Sequence, residues 1–368
     1  MSEYLKRKID KYLFDWEANP DRKPLIIKGA RQVGKTKSIE TFAEQNYESI
    51  VEINFAEDPV YKQIVENGCS AEAVIQNISR INPEARFIKG KTLIFFDEIQ
   101  EFPDIATSLK FFSLDGNYDV ICSGSLLGVH YKEISNISVG YKTEIEMRSL
   151  DFEEFLWAIG YNDSVKEDIL SHMQSFTPFS PAVLKIYNDL FLDYCIVGGM
   201  PDAVQTFVDT KRMDEVLQIQ RDIIRSYEDD MVKYADKKDK AVIRECFQSI
   251  PKQLSKENKK FQYSVVKKGA TASKFAVSLQ WIEDAGIITR CYNLSITELP
   301  LDGNADPDVF KVYMKDTGLF ISMLEDGTQF DILQGNLLGY KGAIFEGLIA
   351  DIFSKMGRKL YYFHKDSG

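Results

Sequence analysis

A chain of 368 residues with a formal net charge of −11 and 44% hydrophobic residues is long enough for two or three packed domains and too apolar for a disordered protein. The acidic balance argues against a surface that coats nucleic acid indiscriminately, because such binding depends on many lysine and arginine contacts with phosphate. The longest apolar runs contain charges and fall short of the roughly 18 residues that suggest a membrane span, so we expect no membrane contact.

The N-terminal segment and the cysteines both bear on location. Residues 1–14 mix charges of both signs without a continuous apolar core, which is not typical of a signal peptide; the apolar spacing there predicts a helix. The cysteines are scattered singly and form neither the close pairs of a zinc site nor a disulfide framework. We therefore expect a cytoplasmic protein.

A phosphate-binding loop is the first motif in chain order. The segment "GARQVGKT", residues 29–36, has the P-loop pattern of a glycine, four residues, a second glycine, a lysine and a hydroxyl residue. A short apolar run, "KPLIIKG", precedes it and predicts a buried strand, while Ile39, Phe42 and Ala43 follow at helical spacing. A strand before the loop and a helix after it are the context that such a loop requires.

Each residue type in this loop has a chemical reason to be there. Gly29 and Gly34 allow tight backbone conformations and close approach to phosphate. Lys35 is expected to contact the β and γ phosphates of a nucleotide, and Thr36 to offer its hydroxyl to Mg²⁺. The predicted nucleotide-binding residues are Gly29, Ala30, Arg31, Gln32, Val33, Gly34, Lys35, Thr36 and Lys37.

A second motif supplies carboxylates. The apolar run from Thr92 to Phe96 predicts a buried strand, and Asp97 and Glu98 follow it directly, as in a Walker B motif. We expect Asp97 to organise the metal together with Thr36, and Glu98 to be catalytic, polarising the attacking water, with Lys35 stabilising phosphate charge. The alternative for Glu98 is an ordinary exposed acid at the end of a strand.

Two more strands complete the predicted core. Alternating apolar residues within "ESIVEINFAED" indicate one strand, and "YDVICSGSLLG" indicates another that ends in small hydroxyl residues. Strands that alternate with helices imply a parallel sheet whose ligands bind beyond the carboxyl ends of the strands. Ser123 and Ser125 would then be sensors of the γ phosphate, or else part of a simple turn before the next helix.

Several segments of the chain carry a family resemblance: "KGARQVGKT", "VEINFAED", "IFFDEIQEFP", "CSGSLLGV", "SLDFEEFLW", "VGGMPDAVQTFV" and "GAIFEGLIADIF". In these the chain resembles the AAA-type P-loop ATPases of bacteria and archaea that carry a C-terminal domain of unknown function. The resemblance implies ATP rather than GTP as the nucleotide, and an AAA-like strand order in which the P-loop strand lies beside the strand that ends in Ser123 and Ser125.

One position departs from the family pattern. Members usually have an arginine or lysine after a glycine that follows the last of these strands, whereas here Gly140 is followed by Tyr141. Lys142 or Arg148 could supply the missing cation near the nucleotide. If neither does, we expect slow hydrolysis, because a cation near the γ phosphate normally stabilises much of the transition-state charge.

Helical patterns dominate after Leu150, and they predict a helical lid region. Gly198, Gly199 and Pro201 predict a turn between two of its helices. Arg221 and Arg225 share one helical face and could reach a nucleotide, but the acids around them favour a solvated charged face.

Residues 241–294 change character and predict a helix, a short segment, a second helix and a strand, as in a winged-helix module. This segment is rich in lysine, which would suit DNA, although the module could instead only pack against the ATPase and report its nucleotide state; lysine without arginine is weak evidence for base recognition. The lysines are Lys252, Lys256, Lys259, Lys260, Lys267, Lys268 and Lys274.

The last part of the sequence is similar to the beginning of a restriction-endonuclease-like fold. There Glu346 lies on a predicted helix that precedes the strand "KLYYFHKD". The sequence stops at Gly368, before the second acidic strand of such folds, and one glutamate cannot build a Mg²⁺-dependent nuclease site. We expect this module to be truncated and inactive, with Glu346 in a structural role.

Together these features predict an α/β protein with a P-loop, AAA-like parallel-sheet core, a helical region, a winged-helix module and a partial α/β C-terminal domain. The expected function is Mg²⁺-dependent binding and hydrolysis of ATP, coupled to a conformational change of the C-terminal modules. The alternative is a nucleotide-gated switch with little turnover that binds a protein or DNA partner through residues 241–294. The oligomeric state stays open. The predicted boundaries are 1–150 for the ATPase core, 151–240 for the lid, 241–298 for the winged helix and 299–368 for the last domain.

Overall fold

The fold is given by a computed structural model that describes residues 4–125, 137–235, 239–256, 259–334 and 341–364. The chain divides into two compact units, Met1–Arg148 and Ser149–Gly368. The four-part division predicted from the sequence stays a prediction. Among the described helices, none combines the length and the apolar character of a membrane span.

The first unit is built around a parallel sheet. All of its paired strands run in the same direction, in the order β2-β3-β4-β1-β5. This confirms the predicted α/β core, and β1 lies beside β4 as the family resemblance implied. The elements are α1 (Lys8–Glu17), β1 (Leu25–Gly29), α2 (Lys35–Asn46), β2 (Ser49–Asn54), α3 (Ala71–Ile81), β3 (Thr92–Asp97), α4 (Ser108–Asp115), β4 (Asp119–Ser125) and β5 (Thr143–Glu146).

The central strands are apolar because both faces of the sheet are covered. Every residue of β3 is buried, and β1 is buried except for the half-buried Lys28. One face packs residues such as Ile26, Ile94 and Phe96 against the side of α3 and α4, and the other packs Ile27 and Phe95 against the side of α1 and α2. Parallel pairing brings the carboxyl ends of all five strands to one edge, and the residues predicted to bind nucleotide follow strands that end there.

The second unit is mostly helical over its first part, which confirms the predicted helical region. Two strands flank β6: β7 pairs with it antiparallel and the short β8 pairs with it parallel. The elements are α5 (Phe152–Ala158), α6 (Ser164–Ser175), α7 (Pro181–Val197), α8 (Pro201–Thr210), α9 (Met213–Tyr234), α10 (Lys240–Gln248), α11 (Ile250–Leu254), α12 (Tyr263–Val266), α13 (Ala272–Asp284), β6 (Ile288–Leu294), β7 (Ala305–Met314), α14 (Thr317–Ser322), α15 (Thr328–Leu333), α16 (Lys341–Lys355) and β8 (Leu360–Phe363).

The turn predicted around Gly198 and Pro201 joins α7 to α8, with Pro201 in the first turn of α8. Gly199 is required by close packing, because a Cβ there would lie 1.9 Å from the carbonyl oxygen of Leu150. The helices and the β6–β7 pair occur in the order that the winged-helix prediction expects. The partner strand β8, however, comes from the segment predicted as a separate domain, so the winged-helix assignment stays a prediction.

Candidate nucleotide site

The loop between β1 and α2 has a backbone that turns through the left-handed region twice. Gln32 has φ 64° and Gly34, which caps the N-terminus of α2, has φ 92°. Gly34 therefore has the conformational role that the sequence predicted for it. Lys35 begins α2, so the loop delivers the chain directly into a helix N-terminus, where free backbone N–H groups favour an anion.

Gly29 has a packing role that the sequence did not reveal. A Cβ at this position would lie 2.1 Å from the carbonyl oxygen of Met147, which follows β5. A backbone hydrogen bond from the Met147 N–H to the Lys28 carbonyl oxygen, at 2.7 Å, holds the end of β1 and the residue after β5 close together. Any side chain at residue 29 would separate the start of the loop from β5.

Lys35 is buried inside its own loop. Its side-chain nitrogen donates to the carbonyl oxygens of Ala30 at 2.9 Å and Gly29 at 3.3 Å. Burial lowers the pKa of Lys35 to about 8, although the negative charges of Glu98 and Asp97 act in the opposite direction. These two carbonyl contacts hold the ammonium group inside the loop, next to the N-terminus of α2.

Asp97 collects hydrogen-bond donors from three different elements. The Thr36 hydroxyl donates to its Oδ2 at 3.1 Å, the Asn54 amide approaches the same oxygen at 3.4 Å, and the Ser123 hydroxyl donates to Oδ1. The carboxylate is 2% exposed. Thr36 and Asp97, predicted to share a metal, are thus adjacent. Asn54 was missed, although its position at the end of a strand next to β3 could have indicated it.

The chemistry of the Thr36 hydroxyl and the Asp97 carboxylate suits Mg²⁺. A threonine hydroxyl and a carboxylate are hard oxygen ligands of the kind that Mg²⁺ prefers, and Mg²⁺ commonly uses one or two protein ligands together with phosphate oxygens and waters. Among the described residues there is no group of three or more His, Cys, Asp or Glu side chains that could hold a metal ion. The Thr36–Asp97 pair therefore fits a magnesium that arrives with a nucleotide, and not an independent metal cage.

Glu98 lies directly beyond Asp97 in a left-handed backbone conformation with φ 53° and is half-buried. This conformation is uncommon for a residue with a side chain. The side-chain amide of Gln100 donates to the Glu98 carboxylate, and its carbonyl accepts from the backbone N–H of Ser125 at 3.0 Å. Gln100 lies in the segment "IFFDEIQEFP", which carries the family resemblance, but the sequence alone predicted no role for it.

Ser123 and Ser125 are part of β4, so neither belongs to a simple turn. Both are buried, and the hydroxyl of Ser123 is directed at Asp97. The helix that the prediction placed after Ser125 falls outside the described residues. A sensor role for these two serines stays a prediction.

The remaining loop residues differ in exposure. Arg31 and Gln32 are exposed and Val33 is buried. Lys37 is also exposed, and its ammonium lies 3.5 Å from Glu40 on the surface of α2. Their predicted contacts with nucleotide stay predictions.

Arg7, which the sequence did not single out, supports the loop from α1. Its side chain is buried, donating to the carbonyl oxygen of Val33 at 2.9 Å and to that of Arg148 at 2.6 Å. One guanidinium thus joins the phosphate loop to the segment after β5. The contacts span 26 and 141 residues of sequence, so no local pattern could have revealed them.

The two cations considered as substitutes for the missing family residue lie at opposite ends of β5. Because Leu25 pairs with Thr143, Lys142 precedes the amino end of the strand, where its buried side chain contacts Glu144 at 2.9 Å. Arg148 follows the carboxyl end, the end at which the phosphate loop begins. Its Nη2 contacts Glu146 at 3.1 Å, and within the described residues its buried Nη1 has no hydrogen-bond partner.

The candidates in the second unit are held by structural contacts. Glu346 accepts from Lys259 at 2.6 Å, Tyr313 at 2.8 Å and Lys311 at 3.2 Å. Burial acts in the opposite direction, but these partners lower the pKa of Glu346 below its usual value. Arg221 pairs with Asp326, and Arg225 pairs with Asp222 at 2.6 Å.

The lysine-rich segment is partly neutralised. Lys259 contacts Glu346, and Lys267 contacts Glu245 at 2.7 Å. Lys252 and Lys268 are exposed, whereas the side chain of Lys274 is outside the described part of the chain. The charge available to phosphate is therefore smaller than the sequence suggested.

Two segments of the chain match known domain families. Residues 21–156 match the AAA domain family, and residues 188–329 match a domain of unknown function, DUF8612. No curated protein matches.

Among solved structures, the chain is similar to the Walker-type ATPase paby2304 of Pyrococcus abyssi. The TM-score is 0.51 at 12% identity, over 87% of this chain and 96% of that one. Domain III of the replication initiation protein DnaA of Thermotoga maritima matches with a TM-score of 0.32 at 13% identity, over 64% of this chain and 91% of that one. At such low identity the first similarity shows the fold alone, and the second is too weak to carry an argument.

Proposed function

We propose that this chain, whose residues 21–156 match the AAA domain family and whose residues 188–329 match a domain of unknown function, binds ATP with Mg²⁺ and hydrolyses the bond to the γ phosphate. The AAA domain match supports nucleotide binding. The observation that carries the finer proposal is the meeting of Lys35, the Thr36–Asp97 pair and Glu98 at one edge of the sheet.

Phosphate recognition falls to the loop and its lysine. The N–H groups at the start of α2 face the anion, and Lys35 exchanges the carbonyl oxygens of Ala30 and Gly29 for phosphate oxygens. Thr36 and Asp97 would hold Mg²⁺, which when bound would neutralise charge on the phosphates. Ser123 and Asn54 keep the Asp97 carboxylate in place for that contact.

Glu98 is the group that orients the attacking water. Its carboxylate lies next to Asp97 in sequence and near enough to Lys35 to influence the charge of that lysine. A carboxylate in this position accepts a hydrogen bond from water and turns the oxygen lone pair toward the γ phosphate. Arg148 is the cation at the correct end of β5 to assist, while Lys142 is at the wrong end.

Nucleotide exchange and hydrolysis are proposed to change the conformation of residues 149–368. P-loop switches commonly order or release segments according to the state of the γ phosphate. Hydrogen exchange of residues 149–368 should therefore differ between the ATP and ADP complexes, and the difference should vanish in Lys35→Ala. Identical exchange in both complexes would remove the coupling from the proposal while leaving hydrolysis untouched.

The decisive experiment measures phosphate release from Mg-ATP, together with nucleotide affinity. Lys35→Ala should lose binding and turnover, whereas Glu98→Gln should keep binding and lose turnover by about 10²-fold or more. Matched controls are Lys91→Ala and Glu48→Gln, two exposed surface partners next to the amino ends of β3 and β2.

Full turnover in Glu98→Gln would contradict the role of that glutamate. Tight nucleotide binding by the wild type without any turnover would instead favour the switch that binds and releases a partner. Absence of both binding and turnover would contradict the whole proposal.

A further inference from the structure

A buried glutamine connects the proposed catalytic glutamate to the end of a neighbouring strand. Gln100 lies two residues after Glu98 in a short 3₁₀ turn, Ile99–Glu101, and its side chain is 5% exposed. Its Nε2 donates to the Glu98 carboxylate and its Oε1 accepts from the Ser125 N–H at 3.0 Å. Since a carboxamide has its donor on one side and its acceptor on the other, these two partners allow only one orientation of the amide.

The strand beside Gln100 leaves room for this side chain. A Cβ at Gly124 would lie 3.2 Å from Gln100 Oε1 and 3.1 Å from Ile99 Cγ1, so a larger residue at 124 would press on the glutamine. The backbone pairing of β3 with β4 ends at Phe96 and Cys122. Gln100 therefore continues the link between these strands beyond their last paired residues, at the level of the site.

The backbone of Glu98 also needs support from its surroundings. A left-handed conformation is disfavoured for a residue with a Cβ and persists where neighbouring contacts hold it. Gln100 supplies a contact of that kind, because it binds the carboxylate of the same residue. Asp97 contributes another, accepting from the Glu98 N–H at 2.9 Å.

We propose that Gln100 is the positioning residue of Glu98, and that it ties the direction of the Glu98 carboxylate to the position of the Ser125 backbone. This inference rests on the proposed ATPase function and deepens it. A movement at the carboxyl end of β4 would then shift the Glu98 carboxylate through the side chain of Gln100. Nucleotide binding does not depend on Gln100, because the loop and the Thr36–Asp97 pair have their own contacts.

Two substitutions separate the two halves of the amide. Gln100→Glu keeps an acceptor for the Ser125 N–H but replaces the donor to Glu98 with a carboxylate that repels it. Gln100→Met removes both contacts at a similar size. Because misplacement of a reacting group by about 1 Å can cost 10²-fold, both variants should lose kcat by roughly that factor while nucleotide Kd is unchanged. The matched control is Gln76→Met, which removes an exposed amide contact with Glu72 on α3.

A double-mutant cycle tests whether Gln100 acts through Glu98. Single-turnover rates are measured for Gln100→Glu, Glu98→Gln and the pair; a positioning role predicts that the second substitution adds little to the first. Additive losses, wild-type kcat in Gln100→Glu, or a weakened nucleotide Kd with unchanged kcat would each overturn the inference. In those cases wild-type turnover and its loss in Lys35→Ala would leave the proposed function standing, whereas a wild type without turnover would overturn both.

Discussion

At the scale of single residues, the surroundings of Lys35 lower the pKa of its amine. Lys35 is buried among carbonyl groups of its own loop, and burial brings its pKa down to about 8. Bound phosphate would favour the charged form, since opposite charges at contact distance raise the pKa of an amine. The free protein therefore loses a proton from Lys35 at a pH where the nucleotide complex retains it.

This difference predicts how ATP affinity depends on pH. Below about pH 8 the amine is charged in both states, so affinity should change little. Above about pH 8 binding must take up a proton, and affinity should fall by as much as tenfold per pH unit. Calorimetric titrations from pH 7 to 9.5 in two buffers of different ionisation enthalpy would measure both the affinity and the proton uptake. A flat affinity profile without proton uptake would show that Lys35 is already charged in the free protein at all these pH values.

Arg7 carries a second prediction at this scale. Arg7 is 5% exposed, and its guanidinium donates hydrogen bonds to the carbonyl oxygens of Val33 and Arg148. Arg7→Met should weaken nucleotide binding and lower the free energy of unfolding by about 2–3 kcal/mol, because hydrogen bonds from a charged donor to buried carbonyls are lost. The exposed Lys11→Met on the same helix is the control. Unfolding in denaturant and nucleotide titration would check it; normal affinity in Arg7→Met would mean that the loop holds its shape without this contact.

At the scale of elements, register within the sheet decides which cation can serve the nucleotide. The two candidates are separated by the length of β5, whose pairing with β1 places Arg148 at the loop end and Lys142 at the far end. Arg148→Met should therefore lower kcat by about tenfold with little effect on stability, through loss of transition-state charge stabilisation.

Lys142→Met is expected to have the opposite effects on kcat and on stability. The substitution should leave kcat unchanged and lower stability, because it removes the contact between Lys142 and Glu144, a carboxylate that also contacts Lys28 at 3.1 Å. Steady-state kinetics and thermal unfolding of the two variants form one experiment. Equal kinetic losses in both would argue that neither acts by position along the strand.

The same scale shows how much the sequence could predict. The strands β1, β3 and β4 could be predicted, because apolar runs bounded by polar or turn residues indicate buried parallel strands. β5 was missed, since all four of its residues are half-exposed and two are glutamates. The short helices α14 and α15 were also missed, because six residues carry too little periodicity.

Within the site, motif spacing predicted the residues that lie close together in the sequence. Lys35, Thr36, Asp97 and Glu98 follow from the loop and from the end of one strand. Arg7, Asn54 and the role of Gln100 did not, since each depends on a side chain reaching another element across the fold. Such contacts are set by sheet order and helix packing, which a single sequence specifies only indirectly.

At the scale of the whole molecule, all the described residues of the proposed site belong to the first unit, whereas the second unit has a buried ionic centre of its own. Lys355 pairs with Asp351 at 2.7 Å and donates to the Leu150 carbonyl at 2.9 Å and the Tyr194 hydroxyl at 3.0 Å. Burial acts in the opposite direction, but Asp351, Tyr194 and Asp316 raise the pKa of Lys355 above its ordinary value. The lysine is therefore charged, and it links α16 to α7 and to the start of the unit.

Removing one partner of this pair should destabilise the second unit without disabling the first. Lys355→Met leaves the Asp351 carboxylate buried without its ion-pair partner, for which the expected cost is about 3–5 kcal/mol of unfolding free energy. Lys355→Met combined with Asp351→Leu should recover much of that loss, because both charges of the pair are then removed together. Denaturant unfolding followed by hydrogen exchange would assign the loss to residues 149–368, and Mg-ATP affinity should stay at the wild-type value. A matching loss of affinity would mean that nucleotide binding depends on the stability of residues 149–368.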